Sequence, residues 1–246
     1  MQLYDHIIKD VFGRLESRPA RSYAYSAVKA WKDKGESELV MLRDAAFELG
    51  GDNKPAVNFS CVTSDTSFVT QDEIVLIGRD LPEINSSVPF ARLAFCLIDD
   101  IDVVDGDTEP LFRAVQDIDF VKYHVYPEGY MVRTSSENNR EQVRISKQAK
   151  ASGVSFEKIG CDYIKQYKNN PNIRAVKLVF ITDPEVDYKA LAADAKTVHD
   201  ITLTLSKILE GMSTDCGSCK LKPICDEVEG MKELHFGKNK AEFTGM

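Results

Sequence analysis

The sequence predicts an α+β fold: a helical N-terminal segment, a mixed α/β body and a small cysteine module at the C-terminal end. Three observations carry this. Short β-rich runs divided by Gly, Asn, Asp and Pro fill the middle of the chain, segments with helical periodicity flank and interrupt them, and three cysteines fall within the ten residues Cys216 to Cys225. The expected divisions are 1–36 for the helical segment, 37–211 for the α+β domain and 212–246 for the cysteine-rich tail.

Taken in order, "LYDHIIKDVFGRLE" places Leu3, Ile7, Ile8, Val11, Phe12 and Leu15 at helical spacing, and "SYAYSAVKAWKDK" reads as a second helix stopped by Gly35. Strand character follows in "ELVMLRDAAFELGG", "AVNFSCVT", "EIVLIG" and "PFARLAFCLIDD". "TEPLFRAVQDIDFV" reads as a helix with Thr108 as N-cap and Pro110 in its first turn, and "YHVYPEGYMVRTSS" as extended chain. "NNREQVRISKQAKAS" reads as a helix ending at Gly153. Ser155 caps the next, "FEKIGCDYIKQYKN", which Pro171 closes. "RAVKLVFITD" is a buried strand. From Pro184 onward Tyr188, Leu191, Ala195, Val198, Thr202, Leu205 and Leu209 recur every three or four residues, the apolar stripe of one long helix. That helix runs to "EGM", and the cysteine segment follows at once.

Net charge is −8, which sets aside a sequence-independent nucleic-acid binder. The N-terminus interrupts its apolar pattern with Asp5, Lys9 and Asp10, unlike a signal peptide. The longest apolar runs are too short to span a bilayer, so the expectation is a soluble, cytoplasmic protein without membrane contact.

Six cysteines in such a chain suggest metal more than a disulfide framework, given the spaced trio. In C-x2-C-x5-C the first pair puts two thiolates on one turn. "KLKPI" loops back to deliver the third, and Lys220 and Lys222 favour thiolate over thiol. Three readings stay open, in this order: an iron–sulfur cluster, 4Fe-4S by preference; structural zinc; free thiols. A fourth ligand is not fixed; His235 is the nearest strong donor, with Asp215 and Glu229 weaker. Cys61, Cys96 and Cys161 sit at apolar positions of strands or a helix, where cysteine acts as a small hydrophobe.

"AFELGGDNKPAVNF", "DEIVLIGRDLPEI", "REQVRISKQAKASGVSFEKIG" and "LVFITDPE", followed by a helix and "DCGSC", run collinearly over roughly residues 40–225. In that order they resemble the β subunit of the CO dehydrogenase/acetyl-CoA synthase complex, in its middle domain and the start of its cluster-binding segment. The resemblance implies an α+β middle domain, a 4Fe-4S cubane bridged to two nickel sites, and chemistry that joins CO, a corrinoid-borne methyl group and coenzyme A. Cys216 and Cys219 fall where the family's first two cubane cysteines stand, and Cys225 corresponds to the third. This chain departs from the pattern. Its gap before Cys225 is shorter, no cysteine follows Cys225, no C-x-C for a distal nickel occurs, and only 21 residues remain. The expectation is therefore an iron–sulfur protein of this type with an accessory role: electron transfer, corrinoid activation, or docking to CO dehydrogenase or methyltransferase partners. The alternatives are an enzyme using an open-site 4Fe-4S cluster, or a non-enzymatic module with structural zinc. The segment C-x2-C-x5-C is also similar to auxiliary cluster segments of some radical enzymes.

Arg133, Arg140, Arg144, Lys147 and Lys150 gather in "VRTSSENNREQVRISKQAK", with Arg140, Arg144 and Lys147 at helical spacing. A solvated helix face is one reading. The other is an anion site, because the arginine fork binds two phosphate oxygens at once. The resemblance implies that this surface receives the phosphates of coenzyme A, with Tyr130 as the neighbouring aromatic. His6, His124 and His199 read as structural, and the five aspartates of "CLIDDIDVVDGD" as a solvated acidic turn.

Overall fold

The β-rich runs pair into two sheets. In the computed structural model, which describes residues 2–99, 109–135, 139–210, 217, 219–228 and 231, β1 (Ala20–Ala24), β4 (Glu73–Ile77), β8 (Ile173–Ile181), β5 (Phe90–Ile98) and β3 (Ala56–Thr63) form a mixed five-stranded sheet in the order β1-β4-β8-β5-β3. The β4–β8 and β5–β3 pairs are parallel; β1–β4 and β8–β5 are antiparallel. A second, antiparallel sheet has the order β2 (Ala45–Leu49), β7 (Arg140–Ser146), β6 (Tyr130–Ser135).

Both faces of the large sheet are covered, which is why β3 and β5 are buried at every position rather than alternately. On one face lie α1 (Asp5–Leu15) and α5 (Tyr188–Leu209), with Phe12 of α1 edge-on to Phe95 at 4.8 Å between ring centroids. On the other lie α4 (Phe156–Tyr167), whose Phe156 stacks on Phe180 at 4.6 Å, and the small sheet, whose β7 crosses the β3–β5 end. A Cβ at Gly160 of α4 would come within 2.7 Å of Ile74, so the close approach of α4 to β4 depends on glycine there. Helix α2 (Glu109–Phe120) packs on α5.

Several expectations hold. Helix α1 buries Ile7, Ile8, Val11 and Leu15. Ser155 caps α4, its side chain accepting from the Lys158 N–H. Along α5, Tyr188, Leu191, Ala195, Val198 and Leu205 are buried, and Thr202 meets the Tyr4 hydroxyl at 3.1 Å. Thr108 and the acidic stretch 100–108 lie outside the described residues.

Two expectations do not hold. The second N-terminal helix is absent: Ala20–Ala24 is edge strand β1 and only Ala27–Lys29 makes a 3-10 turn. Pairing with β4 gives that strand's outer edge its backbone partners, which outweighs the weak helix preference of Ser and Tyr. The helix expected over "NNREQVRISKQAKAS" is instead β7 followed by the short α3 (Lys147–Ala151). Glu141, Val143 and Ile145 alternate inward with period two, and β7 is paired on both edges.

Candidate functional site

Because β7 is a strand, Arg140, Gln142 and Arg144 share the outer face of the small sheet, and the helical face proposed for Arg140, Arg144 and Lys147 does not exist. Register adds Glu48, opposite Arg144, and Arg133, opposite Gln142. Lys147 stands just past the strand, at the first position of α3. The strand pairing therefore still brings Arg133, Arg140 and Arg144 to one face, by a period of two and cross-strand contact instead of by helical turns, and leaves Lys147 beyond the strand end.

Most of these cations hold the protein itself. Arg144 reaches Glu48 Oε1 through Nε at 2.7 Å and Nη2 at 2.6 Å, and donates through Nη1 to the Val40 carbonyl at 2.8 Å. Arg140 donates to the carbonyls of Gly50 at 3.1 Å and Lys54 at 3.2 Å, and Gln142 to Gly50 at 2.7 Å. Gly50 has φ +65° and a Cβ there would lie 2.4 Å from that of Ala56, so this tie-point requires glycine. Lys147 donates to the Arg43 carbonyl at 2.8 Å and borders a shallow cleft of about 370 Å³ with Glu38, Arg43 and Asp44. Arg133 is the loosest, 47% exposed and 3.4 Å from Glu48. Arg133 and Arg144 thus share Glu48, while Arg140 and Lys147 hold backbone carbonyls and Glu38 and Asp44 stand in the cleft beside Lys147. Lys150 turns away, to the Ile84 carbonyl and Asn85, and Tyr130 is 2% exposed, so its ring is not presented beside the arginines.

The cysteine segment follows α5. Cys219 is half-buried on the turn into α6 (Lys222–Glu227), and its carbonyl accepts from the Lys222 N–H at 3.3 Å. Cys225 lies inside α6, 9% exposed, and α6 packs on α5. Cys216 and His235 lie outside the described residues, as do Asp215 and Glu229. Among the described residues no three His, Cys, Asp or Glu side chains gather at one point. The other three thiols are core: Cys61, Cys96 and Cys161 are each 0% exposed, and burial pushes the pKa of all three above the usual thiol value. They behave as the small hydrophobes expected.

Beneath the basic face, Glu141 points the opposite way, into the protein. It accepts from Arg92 of β5 through both carboxylate oxygens and from Asn58 of β3 at 3.1 Å. This staple between the sheets escaped notice in the sequence, although Arg92 is the one charge inside the apolar run "PFARLAFCLI".

With this geometry in view, the family model of the CO dehydrogenase/acetyl-CoA synthase complex beta subunit matches residues 31–186. The chain belongs to that family. The match to the CO dehydrogenase/acetyl-CoA synthase beta subunit takes in β2 through β8, the four cations of the outer face and the Arg92–Glu141 pair. It stops before α5 and the cysteine segment. No curated protein matches the chain. Among the described residues no helix is long and apolar enough to cross a membrane.

Proposed function

We propose that this chain is an acetyl-CoA synthase β-subunit-like protein that binds an iron–sulfur cluster through Cys216, Cys219 and Cys225. Its role is accessory, in one-carbon or methyl-transfer metabolism: electron transfer, activation of a corrinoid protein, or docking within the complex for which the family is named. The observation that carries the reading is the division of its thiols. Cys61, Cys96 and Cys161 are sealed in the core at 0% exposure, whereas the spaced trio follows α5 in the sequence, with Cys219 reachable from solvent and Lys220 and Lys222 close by in the chain. Those residue types fit a cluster, which supplies one-electron chemistry when bound. His235 is the candidate fourth ligand. Structural zinc is the competing occupant of the same donors.

Metal and sulfide content of protein purified without oxygen tests this. Iron and sulfide in equal amounts support it, and stoichiometric zinc without iron overturns it. A reduction potential and ligand-dependent spectra then separate an electron carrier from an enzyme with an open iron.

The outer face of the small sheet supports a second element of the proposal, a site for the phosphates of coenzyme A formed by Arg133, Arg140, Arg144 and Lys147. The supporting observation is that Arg133, its side chain 47% exposed, stands on the same outer face as Arg140 and Arg144.

A further inference from the structure

Strand β1 ends the large sheet and pairs only with β4. The Tyr25 N–H donates to the Asp72 carbonyl at 3.4 Å, so the period of two also turns the main-chain groups of Tyr23 and Arg21 toward β4. Those of Ala20, Ser22 and Ala24 face outward, and among the described residues no backbone group meets them. Other strand edges are closed. On β3 the Asn58 N–H reaches the Asn139 carbonyl at 2.8 Å, and beside β2 Val88 exchanges bonds with Glu48 and Gly50. Native sheets commonly blunt a free edge with Lys, Pro or a bulge, and β1 has none of the three. Its one charge, Arg21, is drawn back over the sheet to Glu83 at 2.8 Å and the Gly78 carbonyl at 2.7 Å.

We propose that β1 is a contact between two copies of this chain, paired antiparallel about a two-fold axis at Ser22, which joins the two five-stranded sheets into one. The sequence of the strand, Ala-Arg-Ser-Tyr-Ala, is complementary to itself in that register. Ser22 meets Ser22 and Ala20 meets Ala24 as hydrogen-bonded pairs, which uses all three outward residues of both copies. Arg21 meets Tyr23 as the closer, non-hydrogen-bonded pair, so the arginine stem packs on the ring and no like charges face each other. A two-residue slip one way sets Arg21 against Arg21. The other way carries Ala20 past the end of the strand. The side chains of Ala20, Ser22 and Ala24 are exposed and small, and Ala20 and Ser22 border a cleft of about 470 Å³ beneath α1, so none of them bars a neighbouring strand. Val28, four residues past β1, is 94% exposed and continues the apolar surface. One short strand from each copy makes a small interface, so the dimer is weak and concentration-dependent.

Sedimentation velocity on the full chain purified without oxygen tests this, over roughly 1 to 500 µM. The expected result is a mass that rises from 27.6 kDa toward twice that value. Ser22→Lys places like charges on the axis, and Ser22→Pro removes the outward N–H while sparing the pairing with β4. Each is expected to raise the dissociation constant at least tenfold, with the circular dichroism of the wild type retained. If Ser22→Pro does not fold, Ser22→Lys serves. Ser22→Cys reads the register: opposed Cα atoms about 5.5 Å apart are within disulfide reach, so mild oxidation should cross-link this variant above the wild-type level. A wild type that stays monomeric throughout, a dimer unaffected by the Lys and Pro variants, or no added cross-linking in Ser22→Cys overturns the proposal.

Discussion

Arg92 on β5 and Glu141 on β7 form a two-pronged ion pair that joins the two sheets, with side chains 1% and 0% exposed. It lies directly behind the basic face: the strand that sends Glu141 inward sends Arg140, Gln142 and Arg144 outward. The pair sets where β7 rests on the large sheet, and so where the outer cations stand. Burying two charges is costly, and such a pair contributes to register more dependably than to net stability.

Removing one partner should therefore be far worse than removing both. Glu141→Gln leaves Arg92 buried without its counter-charge and is expected to destabilise the protein by about 3–5 kcal/mol. Arg92→Met combined with Glu141→Leu should recover most of that loss. Urea denaturation of the wild type and both variants measures it. A Glu141→Gln cost below about 1 kcal/mol would mean that the site is solvated.

Asp162 on α4 sets a pH dependence. Its side chain is 3% exposed and its Oδ2 has no partner. Burial, and then the charge of Asp33, push its pKa up to about 7, with Lys165 pulling the other way. An unfolded Asp titrates near 3.9. Between about pH 4 and pH 7 the folded state therefore holds a proton that the unfolded chain has lost. The contribution of Asp162 to stability is greatest at the acid end and falls as pH rises through that window. Denaturation midpoints of wild type and Asp162→Asn across this range should differ in slope, the variant being flatter between about pH 4 and 7. Parallel curves would remove Asp162 as the cause.

What the sequence conveyed and what it hid divide along local and non-local lines. The stripe of α5 and the Ser155 cap are local, and the uniform apolarity of β3 and β5 follows from having both faces covered. In "REQVRISK" two periods coexist: the cations Arg140, Arg144 and Lys147 fit a helix, while Glu141, Val143 and Ile145 fit a strand. Pairing with β2 and β6 decides between them, and those partners are distant in the chain. Strand β1 was hidden for the same reason. Arg92 announced a buried charge, but its partner is 49 residues away. The cysteine spacing was visible throughout, as was the family likeness of the body.

The outer face yields a prediction with a sign. Glu48 holds Arg144 and Arg133, and so competes with any bound phosphate. Glu48→Gln should tighten coenzyme A binding, whereas Arg133→Ala should weaken it with little effect on stability, because Arg133 is largely exposed. Arg140→Ala with Arg144→Ala removes two contacts of roughly 1.5–3 kcal/mol each and should cost at least about tenfold in affinity. Calorimetry on the three variants decides it. Absence of coenzyme A binding by the wild type at millimolar concentration would return the face to a purely structural role, tying Gly50, Lys54 and Val40 to the sheet.

The cysteines give the most direct prediction. Protein purified without oxygen should be brown and carry about four irons and four sulfides per chain if the cluster is a cubane. Cys219→Ser should abolish or sharply reduce that content, since serine is a poor substitute for a thiolate on iron. Cys61→Ser should leave it unchanged per folded molecule, because Cys61 sits at 0% exposure in β3, away from α6. Cys61→Ser will still cost stability, as it buries a hydroxyl in an apolar strand, so the iron count must be normalised to folded protein by circular dichroism. His235→Ala then asks about the fourth ligand. If His235 ligates, its loss should alter the electron paramagnetic resonance spectrum of the reduced cluster while the three cysteines retain most of the iron. A spectrum identical to wild type would exclude His235 and leave the fourth position to another donor or to solvent. Loss of iron from Cys61→Ser but not from Cys219→Ser would place the cluster elsewhere and overturn the proposed role of the segment.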